Sequence, residues 1–163
     1  MQALNKWHAM ICSLVPLPGP FLALWSGMKT EVATKSVLVV EDEQSIRDIL
    51  VELFEVEGNT VTSAELLPEA LDKLRTQRFD LIVTDLRLGG KRDGGLQVMA
   101  LAGMLSPDAM VLVLTAYPDD SNRQASFRLG ALHFLEKPVD LATIANHAST
   151  VGVRTAFATS IKE

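Results

Sequence analysis

Five polar residues stand at the ends of short apolar runs that are far apart in the chain. Glu41 and Asp42 follow Val37–Val40, Asp85 follows Asp80–Thr84, Thr115 follows Met110–Leu114, and Lys137 comes just after Ala131–Leu135. Three carboxylates brought close together repel one another. A hard divalent cation resolves that repulsion. Mg2+ takes a few carboxylates plus waters and commonly supports phosphoryl transfer. A carboxylate left free can attack phosphorus and form an acyl phosphate. The transferred oxygens then need donors, and the cation, Lys137 and the Thr115 hydroxyl can supply them.

Other chemistries fit less well. His8, His133 and His147 are scattered without metal-ligand spacing, and no Cys-His-Asp arrangement is present. The loop "LGGKRDGG" has glycines and a lysine but lacks the Gly-Lys-Ser/Thr ending of a phosphate-binding P-loop. A hydrolase-like phosphatase with an acidic Mg2+ site would need an acid two residues after its nucleophile. Arg87 stands there.

The elements that must carry these residues follow from pattern. Val37–Val40, Asp80–Thr84 and Met110–Leu114 read as buried parallel strands, with Asn59–Thr62 and Ala131–Leu135 as two more. Between them, Ser45–Val56, Glu65–Thr76, Leu96–Leu105 and Asp119–Leu129 read as helices. A fifth runs over Leu141–Val151 behind an Asp140 N-cap, and Gly130 closes the fourth. Five alternations of strand and helix predict an α/β fold with a mostly parallel sheet and helices on both faces. Ligands of such sheets bind outside the carboxyl ends of the strands, where the five polar residues fall.

The chain has 163 residues, 48% hydrophobic and 21% charged, which predicts one folded domain. Its net charge of −5 argues against nucleic acid as the main partner. Cys12 is the only cysteine, so an internal disulfide is excluded and a reducing compartment is allowed. Residues 1–35 form a separate, mostly apolar N-terminal extension. Pro16, Pro18 and Pro20 interrupt its apolar run, so no membrane span is expected. Leu4, Trp7, Ile11 and Leu14 have the spacing of a short amphipathic helix. Lys6 before an apolar stretch suits a signal peptide, but no small-residue cleavage site follows. Met28 also opens an ordinary start, so the extension is of uncertain role or the product of a misplaced start.

The blocks "VLVVEDEQSIRDIL", "DLIVTDLRLGGKRDG", "VLVLTAY" and "GALHFLEKPVD" resemble the receiver domain of two-component response regulators, in the family's order and at its usual separations. The resemblance implies a flavodoxin-like (βα)5 fold, a five-stranded parallel sheet in order 2-1-3-4-5, over residues 36–155, with 156–163 as a C-terminal tail. It implies that Asp85 is the phosphoacceptor in a Mg2+-dependent phosphorelay. Glu41, Asp42, Asp85 and the backbone carbonyl of Arg87 would be the metal ligands, with Lys137 and Thr115 completing the catalytic set. Thr115 and Phe134 would be the switch pair, Phe134 turning inward on phosphorylation. Pro138 would fix the turn after Lys137, through a cis bond.

The resemblance further implies a sensor histidine kinase or histidine phosphotransfer protein as donor, and a cytoplasmic protein that catalyses its own aspartyl phosphorylation and dephosphorylation. Output would be by protein contact on the face of helix four, strand five and helix five, with homodimerisation through that face left open. Only 23 residues follow Asp140, so a chemotaxis-regulator-like stand-alone receiver is expected rather than a DNA-binding regulator. The rival from another class is a receiver-like interaction or dimerisation module that is never phosphorylated. The pattern departs from the family in one loop. The usual proline four residues after the acceptor is Gly89, and Asp93-Gly94 arrives one residue late. Arg87 and Tyr117 occupy positions where receivers vary and where water access to the phosphoryl group is tuned. Ala116 keeps access open for the donor.

Overall fold

The structure is a computed structural model, and it describes residues 33–159. Residues 1–32 of the N-terminal extension, where a helix around Leu4, Trp7, Ile11 and Leu14 was expected, lie outside the described residues, and with them Cys12 and His8. The last residue of the extension, Lys35, already opens the first strand.

Five strands form one parallel sheet: β1 Lys35–Val40, β2 Asn59–Ala64, β3 Leu81–Asp85, β4 Met110–Thr115 and β5 His133–Glu136. Their order is β2-β1-β3-β4-β5. This is the flavodoxin-like order expected from the sequence. The helices are α1 Gln44–Phe54, α2 Leu67–Thr76, α3 Gly94–Leu105, α4 Asp120–Arg128, α5 Leu141–Ser149 and a short α6 Ala156–Thr159.

The two-residue period of a strand sends alternate side chains to opposite faces. Leu38, Val40, Ile82, Val111, Val113 and Phe134 join one core with Leu67, Ala70 and Leu74 of α2 and Val98, Met99 and Ala102 of α3. Val37, Val39, Leu81, Val83, Leu112 and Leu114 join the other with Leu50, Leu53 and Phe54 of α1 and Ile144, Ala145 and Ala148 of α5. Burial on both faces explains why β3 and β4 read as unbroken apolar runs. Phe54 is fully buried, and its truncation to alanine would cost about 3–5 kcal/mol.

Several boundaries differ from the sequence reading, each for a local reason. α3 starts at Gly94, two residues before its apolar pattern begins. A Cβ at Gly95 would lie 2.2 Å from the carbonyl oxygen of Asp85, so only glycine lets the first turn of α3 rest on the end of β3. The Gly95 N–H donates to the Leu86 carbonyl at 2.9 Å, which fixes that contact. β5 runs His133–Glu136 rather than Ala131–Leu135, because Ala131 still belongs to the closure of α4. Its N–H reaches back to the Ser126 carbonyl at 3.0 Å while Gly130 takes φ 92.

α5 ends the same way. Val153 donates to the Ala148 carbonyl at 3.2 Å, Gly152 to that of Ser149 at 3.0 Å, and Gly152 has φ 78. Thr159 closes a short helix where a tail was expected, and α6 packs against α1 and α5. The expected cap is present at α5, where Asp140 accepts from the Ala142 N–H at 3.0 Å. Asp119, read in the sequence as the first helical residue, instead caps α4 and accepts from the Asn122 N–H at 2.8 Å.

Candidate functional site

Glu41 and Asp42 leave the end of β1, Asp85 ends β3, and Lys137 follows β5. The parallel register brings these ends to one edge of the sheet. Glu41, Asp42 and Asp85 each offer an oxygen within 4.8 Å of the others. Glu41 and Asp85 are buried, and Asp42 is the most open of the three. The Lys137 ammonium sits among them. It donates to Glu41 Oε2 at 2.6 Å and to Asp85 Oδ2 at 2.8 Å.

One lysine offsets only part of the charge of three acids. Burial pushes the Glu41 carboxyl above the usual carboxylate range, Lys137 opposes this, and Asp85 adds to it. Burial alone would lower the Lys137 ammonium. Its hydrogen bonds to Asp85 and Glu41 outweigh that and hold it above its ordinary value, so it is charged at neutral pH. The donor set is all oxygen and in excess of negative charge, which suits a hard cation. Its span is close to the roughly 4.2 Å between opposite ligands of an octahedral Mg2+. The residues therefore fit the expected ion.

Backbone groups complete the geometry. The Arg87 N–H donates to Asp85 Oδ1 at 3.1 Å, so both oxygens of Asp85 are held. The Arg87 guanidinium lies 3.5 Å from the centroid of the exposed Tyr117 ring. The Lys137 N–H donates to the Thr115 carbonyl at 2.8 Å, tying the ends of β4 and β5 together. The Lys137–Pro138 bond is cis, as the resemblance implied.

A cleft of about 790 Å3 opens from the acids. Asp85, Arg87, Ala116, Tyr117 and Lys137 line its polar end, so Ala116 does stand on the open side. Ile46, Ile49 and Leu50 of α1 face Pro138, Val139, Leu141 and Ile144 across its apolar end.

Not every expected residue faces this cleft. Thr115 is fully buried and does not line it. Its hydroxyl accepts the Tyr117 N–H at 3.1 Å. Phe134 is already turned inward at 7% exposure, packed with Val111 and Val113, under the Arg123 guanidinium 4.7 Å from its centroid. Two positioning groups were missed in the sequence. Arg47 donates to the carbonyls of Glu41 at 2.8 Å and Asp42 at 3.3 Å. The Gly89 N–H donates to Asp42 Oδ2 at 3.0 Å. An arginine near two acids is common, and a backbone amide carries no sequence signal, so neither was visible beforehand.

The family model described as response regulator receiver domain matches residues 37–149. Sporulation initiation phosphotransferase F of Bacillus subtilis is 31% identical over 110 residues, 68% of this chain and 87% of that protein. Transcriptional regulatory protein YvrH of the same organism is 33% identical over 104 residues, and the match spans only 43% of its length. A response regulator from Burkholderia pseudomallei, solved with a phosphorylated aspartic acid, calcium ion and citrate, superposes with a TM-score of 0.63 at 30% identity. That match covers 78% of this chain and 71% of the other.

Proposed function

Since the chain belongs to the response regulator receiver family, we propose that it accepts a phosphoryl group on Asp85. The donor is a phosphohistidine of a sensor histidine kinase or a histidine phosphotransfer protein. An Asp85 carboxylate oxygen forms the new O–P bond as the P–N bond to imidazole breaks, and the imidazole leaves with the electron pair. The observation that carries this reading is the placement of Asp85. It is a buried carboxylate at the cleft floor, held through Oδ1 by the Arg87 amide and through Oδ2 by Lys137.

Glu41, Asp42, Asp85 and the Arg87 carbonyl would hold Mg2+, which when bound neutralises charge on the transferred oxygens. Lys137 changes partner, from the Asp85 carboxylate to a phosphoryl oxygen, without leaving the site. Thr115 gives up the Tyr117 N–H and turns its hydroxyl toward the phosphoryl group. Phe134 already occupies the inward position, so in this protein the switch turns on Thr115 and the loop after it. The apolar end of the cleft, between α1 and the start of α5, receives the donor protein beside the acids. The signal then passes by protein contact on the α4–β5–α5 face, in the cytoplasm, with no part for nucleic acid.

The test is phosphotransfer from a phosphorylated histidine phosphotransfer protein, and from acetyl phosphate, with Mg2+ or with EDTA. Labelling of the wild type in Mg2+ alone, and none of Asp85→Ala, is the expected result. Equal labelling of the two proteins removes the mechanism.

A further inference from the structure

We infer that the Gly89–Gly90 turn is a positioning device for Asp42, so that the conformation of the β3–α3 loop sets the affinity of the chain for its divalent cation. This rests on the reading of Asp42 as a cation ligand, and extends it to a backbone group that no side-chain pattern reveals.

The loop is a tight two-residue turn. Leu88 and Lys91 exchange hydrogen bonds, each N–H to the other's carbonyl at 3.1 Å. Gly89 has φ 58 and Gly90 φ 80, positive at both central positions as a type I′ turn requires. Its base is anchored, because Leu88 is 1% exposed and a Cβ at Gly94 would lie 2.9 Å from that of Leu88. Its tip aims the Gly89 N–H at Asp42 Oδ2, 3.0 Å away.

Asp42 is therefore held at both ends. Arg47 fixes its carbonyl from α1, and the turn fixes its carboxylate from across the sheet edge. An N–H on one oxygen leaves the remaining lone pairs of the carboxylate directed and free for a cation, the role that outer hydrogen-bond donors play around metal ligands. A proline at position 89, as in the usual family pattern, would have no N–H to give. The departure of this loop from that pattern thus supplies a bond that the pattern could not.

Gly90 offers a clean test, because nothing lies within 4 Å of a Cβ added there. Gly90→Ala therefore perturbs only the backbone conformation. Gly90→Asn tolerates positive φ and keeps the turn. Mg2+ would be titrated into wild type and both variants by calorimetry, with thermal unfolding recorded in parallel. The proposal expects about a tenfold weaker Kd for Gly90→Ala. Gly90→Asn should stay within about twofold of wild type. Wild-type affinity in Gly90→Ala, even with a lowered Tm, would mean that the turn is merely structural and would overturn the inference. So would an equal loss in Gly90→Asn. A wild type that binds no Mg2+ would instead remove the reading of Asp42 as a ligand, and the inference with it.

Discussion

Lys137 donates to Glu41 and Asp85 at once, so its removal leaves two buried carboxylates within 4.8 Å of each other with no counter-charge. Lys137→Ala should lower the stability of the cation-free protein by about 3 kcal/mol, the low end for breaking a buried pair. Mg2+ should restore more stability to this variant than to wild type, because the cation replaces the missing charge. Urea unfolding with and without Mg2+ reads both effects. A loss that Mg2+ does not reduce would contradict the view of the site as an excess of acid awaiting a cation. The four side chains that make this centre were legible in the sequence because each stands at the end of an apolar strand. The direction of the Thr115 hydroxyl, the inward Phe134 and the amides of Arg87 and Gly89 were not. Those depend on loop conformation, which has no periodicity to read.

At the scale of elements, β5 and α5 meet through His133 and His147, whose ring centroids are 3.7 Å apart. Burial, and then the neighbouring His147, depress the His133 imidazole below its ordinary value. The folded chain therefore resists a proton that the unfolded chain accepts near pH 6.5. Stability should fall as pH drops from about 6.5 toward the folded-state value. His133→Gln should lose less stability than wild type between pH 7.5 and 5.5, as followed by chemical denaturation. Equal losses would mean that the pair does not couple the strand to the helix. The alternation of strands and helices was legible from apolar runs, even at the more polar β2, whereas the order of the strands in the sheet followed from the family resemblance alone. The ends of the elements were less legible. α3 begins two residues early because of a close approach at Gly95, and a hydrophobic pattern cannot register a missing Cβ.

One cleft among the described residues joins the acidic centre to an apolar groove. Among the described residues no helix is long and apolar enough to cross a membrane. Ile49 is 48% exposed on the groove wall, beyond the acids. Ile49→Asp should slow phosphotransfer from a protein donor by roughly tenfold or more, as an apolar anchor lost at an interface would. It should leave labelling by acetyl phosphate unchanged, because no group on Asp85 is touched. Slowing of both donors alike would mean that the groove serves the chemistry rather than the partner.

The signalling chemistry of the chain rests on the bond formed at Asp85. Borohydride reduction of the phosphorylated protein, followed by peptide mass mapping, converts an aspartyl phosphate into homoserine at the position that carried it. Homoserine at position 85, formed only after phosphorylation with Mg2+ present, is the result predicted. Homoserine at another aspartate, or none from a fully labelled protein, would contradict it.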